Sequence, residues 1–292
     1  MFRDILALII LGLAVAPSLH AQLPAASEQP FTLSVTAELV LLDVSVKSAA
    51  GEHVPGLTKN DFRVYENGKV QTVSHFARED TPVTAGLVID TSRSMQRKRQ
   101  EVVTAALAFI GASHRSDEIF VVHFSDSVSL GLPADIPFTD DIGQLRDALS
   151  RGTPQGRTAL NDAIFFSLQH LELGKRDRRT LVLVSDGGDN SSVHGDDDVR
   201  RRILESRATV YAIGICDEAD PERNPRLLRQ LARVSGGQAF LGVQLSALTE
   251  ICHQIAMDIR TRYTIGYVPV RSGDHRSLRR IKVTASAPAK RF

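Results

Sequence analysis

Gly86-Leu87-Val88-Ile89-Asp90-Thr91-Ser92-Arg93-Ser94-Met95 divides sharply in its middle. Leu87 to Ile89 are apolar and partly β-branched, as in a buried strand. The apolar run then stops at a carboxylate, and hydroxyls follow at Ser92 and Ser94. This pattern predicts a strand ending at Asp90, a tight loop, and a helix starting near Met95. At the carboxyl end of a parallel strand, such a loop lies where open α/β sheets bind ligands. One carboxylate and two hydroxyls are hard oxygen donors, which suit Mg²⁺. The competing explanation is local: Ser92 or Ser94 could simply cap the helix.

Two distant stretches extend the set. Gly156-Arg157-Thr158-Ala159-Leu160 opens a second expected helix with another hydroxyl. Leu181-Val182-Leu183-Val184-Ser185-Asp186-Gly187-Gly188 is a second apolar strand ending in Asp-Gly. Asp90, Ser92, Ser94, Thr158 and Asp186 thus stand on three separate loops, and no single cap accounts for all five. In these residues the chain resembles the von Willebrand factor type A family and its metal-ion-dependent adhesion site. The common family form has Gly between the two serines. Arg93 stands there in this chain, leaving the donor set intact and adding a positive charge beside it. The resemblance implies a Mg²⁺ site, with Mn²⁺ or Ca²⁺ as alternatives. In that family the hydroxyls ligate the ion, the aspartates act largely through water, and a partner's carboxylate completes the octahedron.

The rest of the chain fits an α/β fold with a doubly wound, mainly parallel sheet. Strands are expected at Ala85–Asp90, Glu118–Phe124, Val128–Leu130, Thr180–Ser185, Thr209–Ile215 and Gln238–Leu241. Helices are expected at Met95–Gly111, Ile142–Ser150, Leu160–Leu173, Asp197–Glu205, Arg226–Val234 and Ser246–Thr261. Alternation of this kind builds βαβ units. Val128–Leu130 follows its predecessor after a short turn, which makes it an antiparallel edge strand.

Both chain ends differ from this. Residues 1–21 read as a secretory signal: Arg3, an apolar run from Ile5 to Ala16, then Ala21. The run is short for a membrane span, so a secreted or periplasmic protein without a stable span after cleavage is expected. An uncleaved N-terminal anchor is the alternative. Residues 22–80 read as a linker, Leu23 to Pro30, followed by a small β unit. Its strands include Thr32–Thr36 and Val40–Val46, a turn lies at Ala50–Glu52, and a hairpin turns at Asn67-Gly68. Part of it, from Gly56 to Gln71, resembles a leader module ahead of such domains in acidobacterial secreted proteins. Residues 81–262 form the central domain. Residues 263–292 return to β patterning and are expected as a hairpin packed on the N-terminal unit, since a lone hairpin is marginal in water.

Net charge is +1, which gives no global field for nucleic acid or membrane. Cys216 and Cys252 could form one disulfide in an oxidising compartment or remain buried thiols. Arg93, Arg97, Lys98, Arg99 and Arg157 crowd the proposed metal loops. Asp189 and Asn190 either support the ion from behind or form an Asx turn. Asp196 to Asp198 suit a helix amino end.

The function expected from all this is a non-enzymatic module that binds a carboxylate-bearing protein partner through Mg²⁺. A Mg²⁺-dependent phosphatase is the second possibility, but in aspartate-based phosphatases another Asp stands two residues after the first, where this chain has Ser92. A structural subunit of an envelope assembly is the third.

Overall fold

Eight consecutive buried residues, Val83–Asp90, form the strand on which the molecule is built. The structure is a computed structural model that describes residues 39–48, 54, 56–78, 80–215, 223–269 and 279–286. The expected signal segment, the Leu23–Pro30 linker, the Thr32–Thr36 strand, the Ala50–Glu52 turn and Cys216 lie outside them. A pairing of Cys216 with Cys252 is therefore also outside them.

In chain order the strands are β1 (Val40–Val44), β2 (Phe62–Glu66), β3 (Lys69–Gln71), β4 (Val73–Arg78), β5 (Val83–Asp90), β6 (Glu118–Phe124), β7 (Val128–Leu130), β8 (Arg178–Ser185), β9 (Thr209–Ile215), β10 (Ala239–Val243), β11 (Tyr263–Tyr267) and β12 (Ile281–Ala285). The helices are α1 (Arg99–Ala112), α2 (Ile142–Arg151), α3 (Leu160–Leu171), α4 (Asp196–Ser206), α5 (Pro225–Ser235) and α6 (Leu248–Arg260).

The main sheet has the order β10-β9-β8-β5-β6-β7. All its pairings are parallel except β6 with β7. β5 pairs with β6 on one side and β8 on the other, so the chain winds outward in both directions from it. That reversal opens a crevice beyond the carboxyl ends of β5 and β8. Aliphatic strand residues and the inward faces of the helices form one core, including Leu87, Val122, Leu183, Ile213, Leu228 and Ile255. Gly86 has a packing reason: a Cβ there would lie 2.4 Å from the Phe120 ring.

Two three-stranded sheets, β1-β11-β4 and β12-β2-β3, stand beside it. Their shared apolar cluster contains Phe62, Val64, Val73, Tyr263, Ile265 and Tyr267. The Asn67-Gly68 turn joins β2 to β3 as expected, with both residues at positive φ. The carboxyl-terminal hairpin does not form. β11 inserts between β1 and β4, whereas β12 pairs with β2, so the two strands belong to different sheets. The reason is apolar burial: Tyr263, Ile265 and Tyr267 fill the cluster from a central strand, while Ile281 and Ala285 stay exposed on an edge. Among the described residues no helix is long and apolar enough to cross a membrane.

Candidate metal centre

The loop after β5 does not begin a long helix at Met95. Arg93–Met95 makes one tight 3₁₀ turn, and α1 starts only at Arg99. Ser92 precedes that turn, yet its side chain makes no capping bond. Its hydroxyl instead meets the Ser94 hydroxyl at 3.0 Å. The capping explanation for Ser92 therefore fails, and the Ser94 hydroxyl reaches across to Asp186.

Four of the five expected residues form one connected cluster. The Ser92 backbone N–H donates to Asp90 Oδ1 at 2.8 Å, and Ser185 Oγ donates to Asp90 Oδ2 at 2.6 Å. Ser94 Oγ donates to Asp186 Oδ2 at 2.6 Å. Because the Ser94 proton is committed there, Ser92 must be the donor in the serine pair. A hydroxyl that gives its proton to a carboxylate keeps a lone pair for a cation.

Thr158 arrives from a third loop. Gln155 N–H donates to Thr91 O at 2.9 Å and Arg93 N–H to Gly156 O at 3.3 Å, which stitches this loop to the Asp90 loop. Gly156 sits at φ +70°, and a Cβ on it would fall 1.8 Å from Asp126 Oδ2. Asp126 Oδ1 in turn accepts from Arg157 N–H at 2.9 Å. Asn190 Oδ1 accepts from Thr158 N–H at 2.9 Å, and Asp189 Oδ2 accepts from Asn161 N–H at 2.8 Å. Asp189 and Asn190 thus fix the amino end of α3 and the Thr158 backbone. His194 carries a related anchor, with Nδ1 2.6 Å from Asp162 Oδ1 and its ring stacked on Phe165.

The electrostatics of the cluster are unfavourable as they stand. Asp90 and Asp186 are 2% and 4% exposed. Burial, and then the Asp186 charge, push the Asp90 carboxyl up to about 6, against the hydrogen bonds from Ser185 and Ser92. Two carboxylates held together out of water call for a cation. One is built in: Lys98 is almost fully buried, and its Nζ lies 3.6 Å from Asp186 Oδ2. The sequence places Lys98 among five basic residues with nothing to set it apart. The structure separates them. Arg93, Arg97 and Arg157 are exposed, the Arg99 guanidinium bonds Ser150 O, and Lys98 turns inward. The donor set of two carboxylates and three hydroxyls, all oxygen, fits a hard divalent ion. Among the described residues no cluster of three His, Cys, Asp or Glu side chains offers another metal site.

An α/β domain with the carboxylates and hydroxyls of Asp90, Ser92, Ser94 and Asp186 joined at the reversal point of its sheet defines the class. Residues 86–188 match the family model of the von Willebrand factor type A domain. A solved von Willebrand factor type A protein from Catenulispora acidiphila is similar over 87% of this chain and 70% of its own, with 14% identity and a TM-score of 0.56. Proximal thread matrix protein 1 from the mussel byssus is similar over 67% of this chain and 51% of its own, with 13% identity and a TM-score of 0.54. The vWF domain of the type V pili tip protein Mfa5 from Porphyromonas gingivalis is similar over 61% of this chain and 95% of its own, with 12% identity and a TM-score of 0.50. No curated protein matches the chain. Over residues 86–188 the chain is therefore similar to a von Willebrand factor type A domain.

Proposed function

We propose that this domain is an exported adhesion module that binds an acidic group of a protein partner through Mg²⁺ held by Asp90, Ser92, Ser94, Thr158 and Asp186. The observation that carries this reading is the buried chain of oxygens from Ser185 through Asp90 and from Ser92 through Ser94 to Asp186. In this reading Ser92, Ser94 and Thr158 offer hydroxyl lone pairs, and Asp90 and Asp186 supply the negative charge. Ser185 and Asn190 hold Asp90 and the Thr158 backbone in place. A bound Mg²⁺ would supply an electrophilic centre with room for an added oxygen donor. Only two of the five side chains are charged, so an acidic ligand is preferred to a neutral one. Exposed Arg93 and Arg157 beside the crevice add to that preference at short range. The site needs no nucleophile, and this chain offers Ser92 where an aspartate phosphatase would carry its general acid.

The test is calorimetric titration of Mg²⁺ into wild type and Asp90→Ala, followed by partner capture from the native envelope with and without chelator. Wild type should bind Mg²⁺, Asp90→Ala should not, and capture should be lost in chelator. Thr158→Ala should weaken both less than Asp90→Ala. Equal Mg²⁺ affinity in wild type and Asp90→Ala would refute the site.

A further inference from the structure

At the opposite end of the sheet, the amino ends of β8 and β9 meet the flanking strands β1 and β11. A cavity of about 50 Å³ lies there. Four arginines line it, Arg178, Arg179, Arg207 and Arg262, against two carboxylates, Asp43 and Asp177. Arg178 spends one terminal nitrogen on Asp43 Oδ1 at 3.3 Å and Thr264 Oγ1 at 2.8 Å. Arg262, only 8% exposed, spends its terminal nitrogens on the Tyr211 hydroxyl at 2.5 Å and Thr209 Oγ1 at 3.3 Å.

Three of the other donors have no acceptor. Arg178 Nη1, Arg179 Nε and Arg262 Nε are all buried and unpartnered. Among the described residues neither Arg179 nor Arg207 has an ion-pair partner. Orphaned N–H groups of this kind are costly out of water, and more so on a charged group. Water could satisfy the hydrogen bonds but not the excess of positive charge among the lining residues. A cation is excluded by the same charge.

We propose that this cavity binds one phosphate- or sulfate-sized oxyanion, either free or as the terminal group of a larger molecule. Guanidinium forks match the oxygens of tetrahedral oxyanions in geometry as well as charge. The volume accommodates a single such group: it is a few times the roughly 10–15 Å³ that one water needs. Arg178 already reaches Asp43 on β1 and Thr264 on β11, and Arg262 already reaches Tyr211 on β9. An anion among them braces the flanking sheet against the α/β domain.

The experiment is a thermal scan of the full chain in EDTA, which removes any dependence on the metal site. Millimolar inorganic phosphate and glycerol phosphate are each compared with sodium chloride at matched ionic strength. Phosphate should raise Tm by roughly 2–4 °C beyond chloride. The gain should vanish in Arg179→Gln/Arg207→Gln, whose replaced side chains give up no ion pair. A gain with both probes assigns the anion to a phosphate ester as well as the free ion, and a gain with inorganic phosphate alone assigns it to the free ion. As a second readout, phosphate should shift the Arg179 and Arg262 Nε–H resonances of wild type. No gain over chloride, an equal gain in the double variant, or unmoved resonances would overturn the proposal.

Discussion

Replacing Lys98 by Met makes two opposite demands on the protein. In the metal-free domain, Lys98 is the buried cation beside Asp186. Two unit charges about 4 Å apart attract by roughly 4 kcal/mol at an effective dielectric of about 20. Much of that is offset by the cost of taking the ammonium out of water. Once an ion occupies the crevice, the same ammonium repels it. A surviving coupling of about 1–2 kcal/mol makes Mg²⁺ bind Lys98→Met roughly 5–30-fold more tightly than wild type. Without metal, Asp186 keeps only its bond from the Ser94 hydroxyl among these contacts. Removing one partner of a buried pair costs about 3 kcal/mol at the lower end, so Tm in EDTA should fall by roughly 6–12 °C. Calorimetric Mg²⁺ titration and thermal scans in EDTA read the two effects, with Lys98→Arg as the control that keeps the charge. A Lys98→Met protein that binds Mg²⁺ no more tightly than wild type would show that the ammonium does not compete for the site. If wild type itself binds no Mg²⁺, the fault lies with the site and not with Lys98.

Three further outcomes are expected. Asp90, with its carboxyl pushed up to about 6 by burial and by Asp186, binds a proton more tightly folded than unfolded. Its favourable share of stability is therefore full below its ordinary value of 3.8 and lost as pH rises through about 6. In EDTA, urea melts of Asp90→Asn should gain about 3 kcal/mol on wild type between pH 4 and pH 7, and a constant difference would contradict this. Gly156→Ala forces φ +70° on a residue with a Cβ and drives that Cβ into Asp126; it should destabilise by about 1–3 kcal/mol and weaken Mg²⁺ binding in titration through displacement of Thr158. Deleting residues 263–292 removes β11 from the centre of its sheet and strips Tyr263 from Phe62 and Phe76; limited proteolysis should then cut within residues 39–78, and unchanged resistance there would count against the shared flanking unit.

What could be read in the one-dimensional chain, and what could not, follows from the range of the forces involved. Leu87 to Ile89 and Leu181 to Val184 declare buried parallel strands because burial on both faces demands unbroken apolar runs. The loop carboxylates that end them are equally visible, since a strand with Asp at its carboxyl end has one common location in such a sheet. Helix starts were less legible. Met95 continues an apolar pattern, but the Ser92 and Ser94 hydroxyls bond each other and Asp186 instead of capping, and α1 starts only at Arg99. The pairing of the last strands was hidden for a different reason. Proximity in sequence favours a hairpin, yet the aromatic cluster around Tyr263 rewards β11 for inserting between β1 and β4.

The direction of a long side chain is the least legible quantity of all. Lys98 stands among Arg93, Arg97 and Arg99 in a run that any reading of charge treats as one exposed face. Its inward course depends on Asp186, 88 positions away. The same holds for Asp126, whose carboxylate receives Arg157 N–H and fills the space that Gly156 leaves open. Both residues act on the crevice through partners that the sheet order, and not the sequence order, brings near. The five-residue donor pattern therefore carries the proposal of a cation site, while the buried charge beside it, Lys98, is contained in no pattern. In the site proposed above, the built-in Lys98 ammonium is the feature by which this chain would tune when a cation is held.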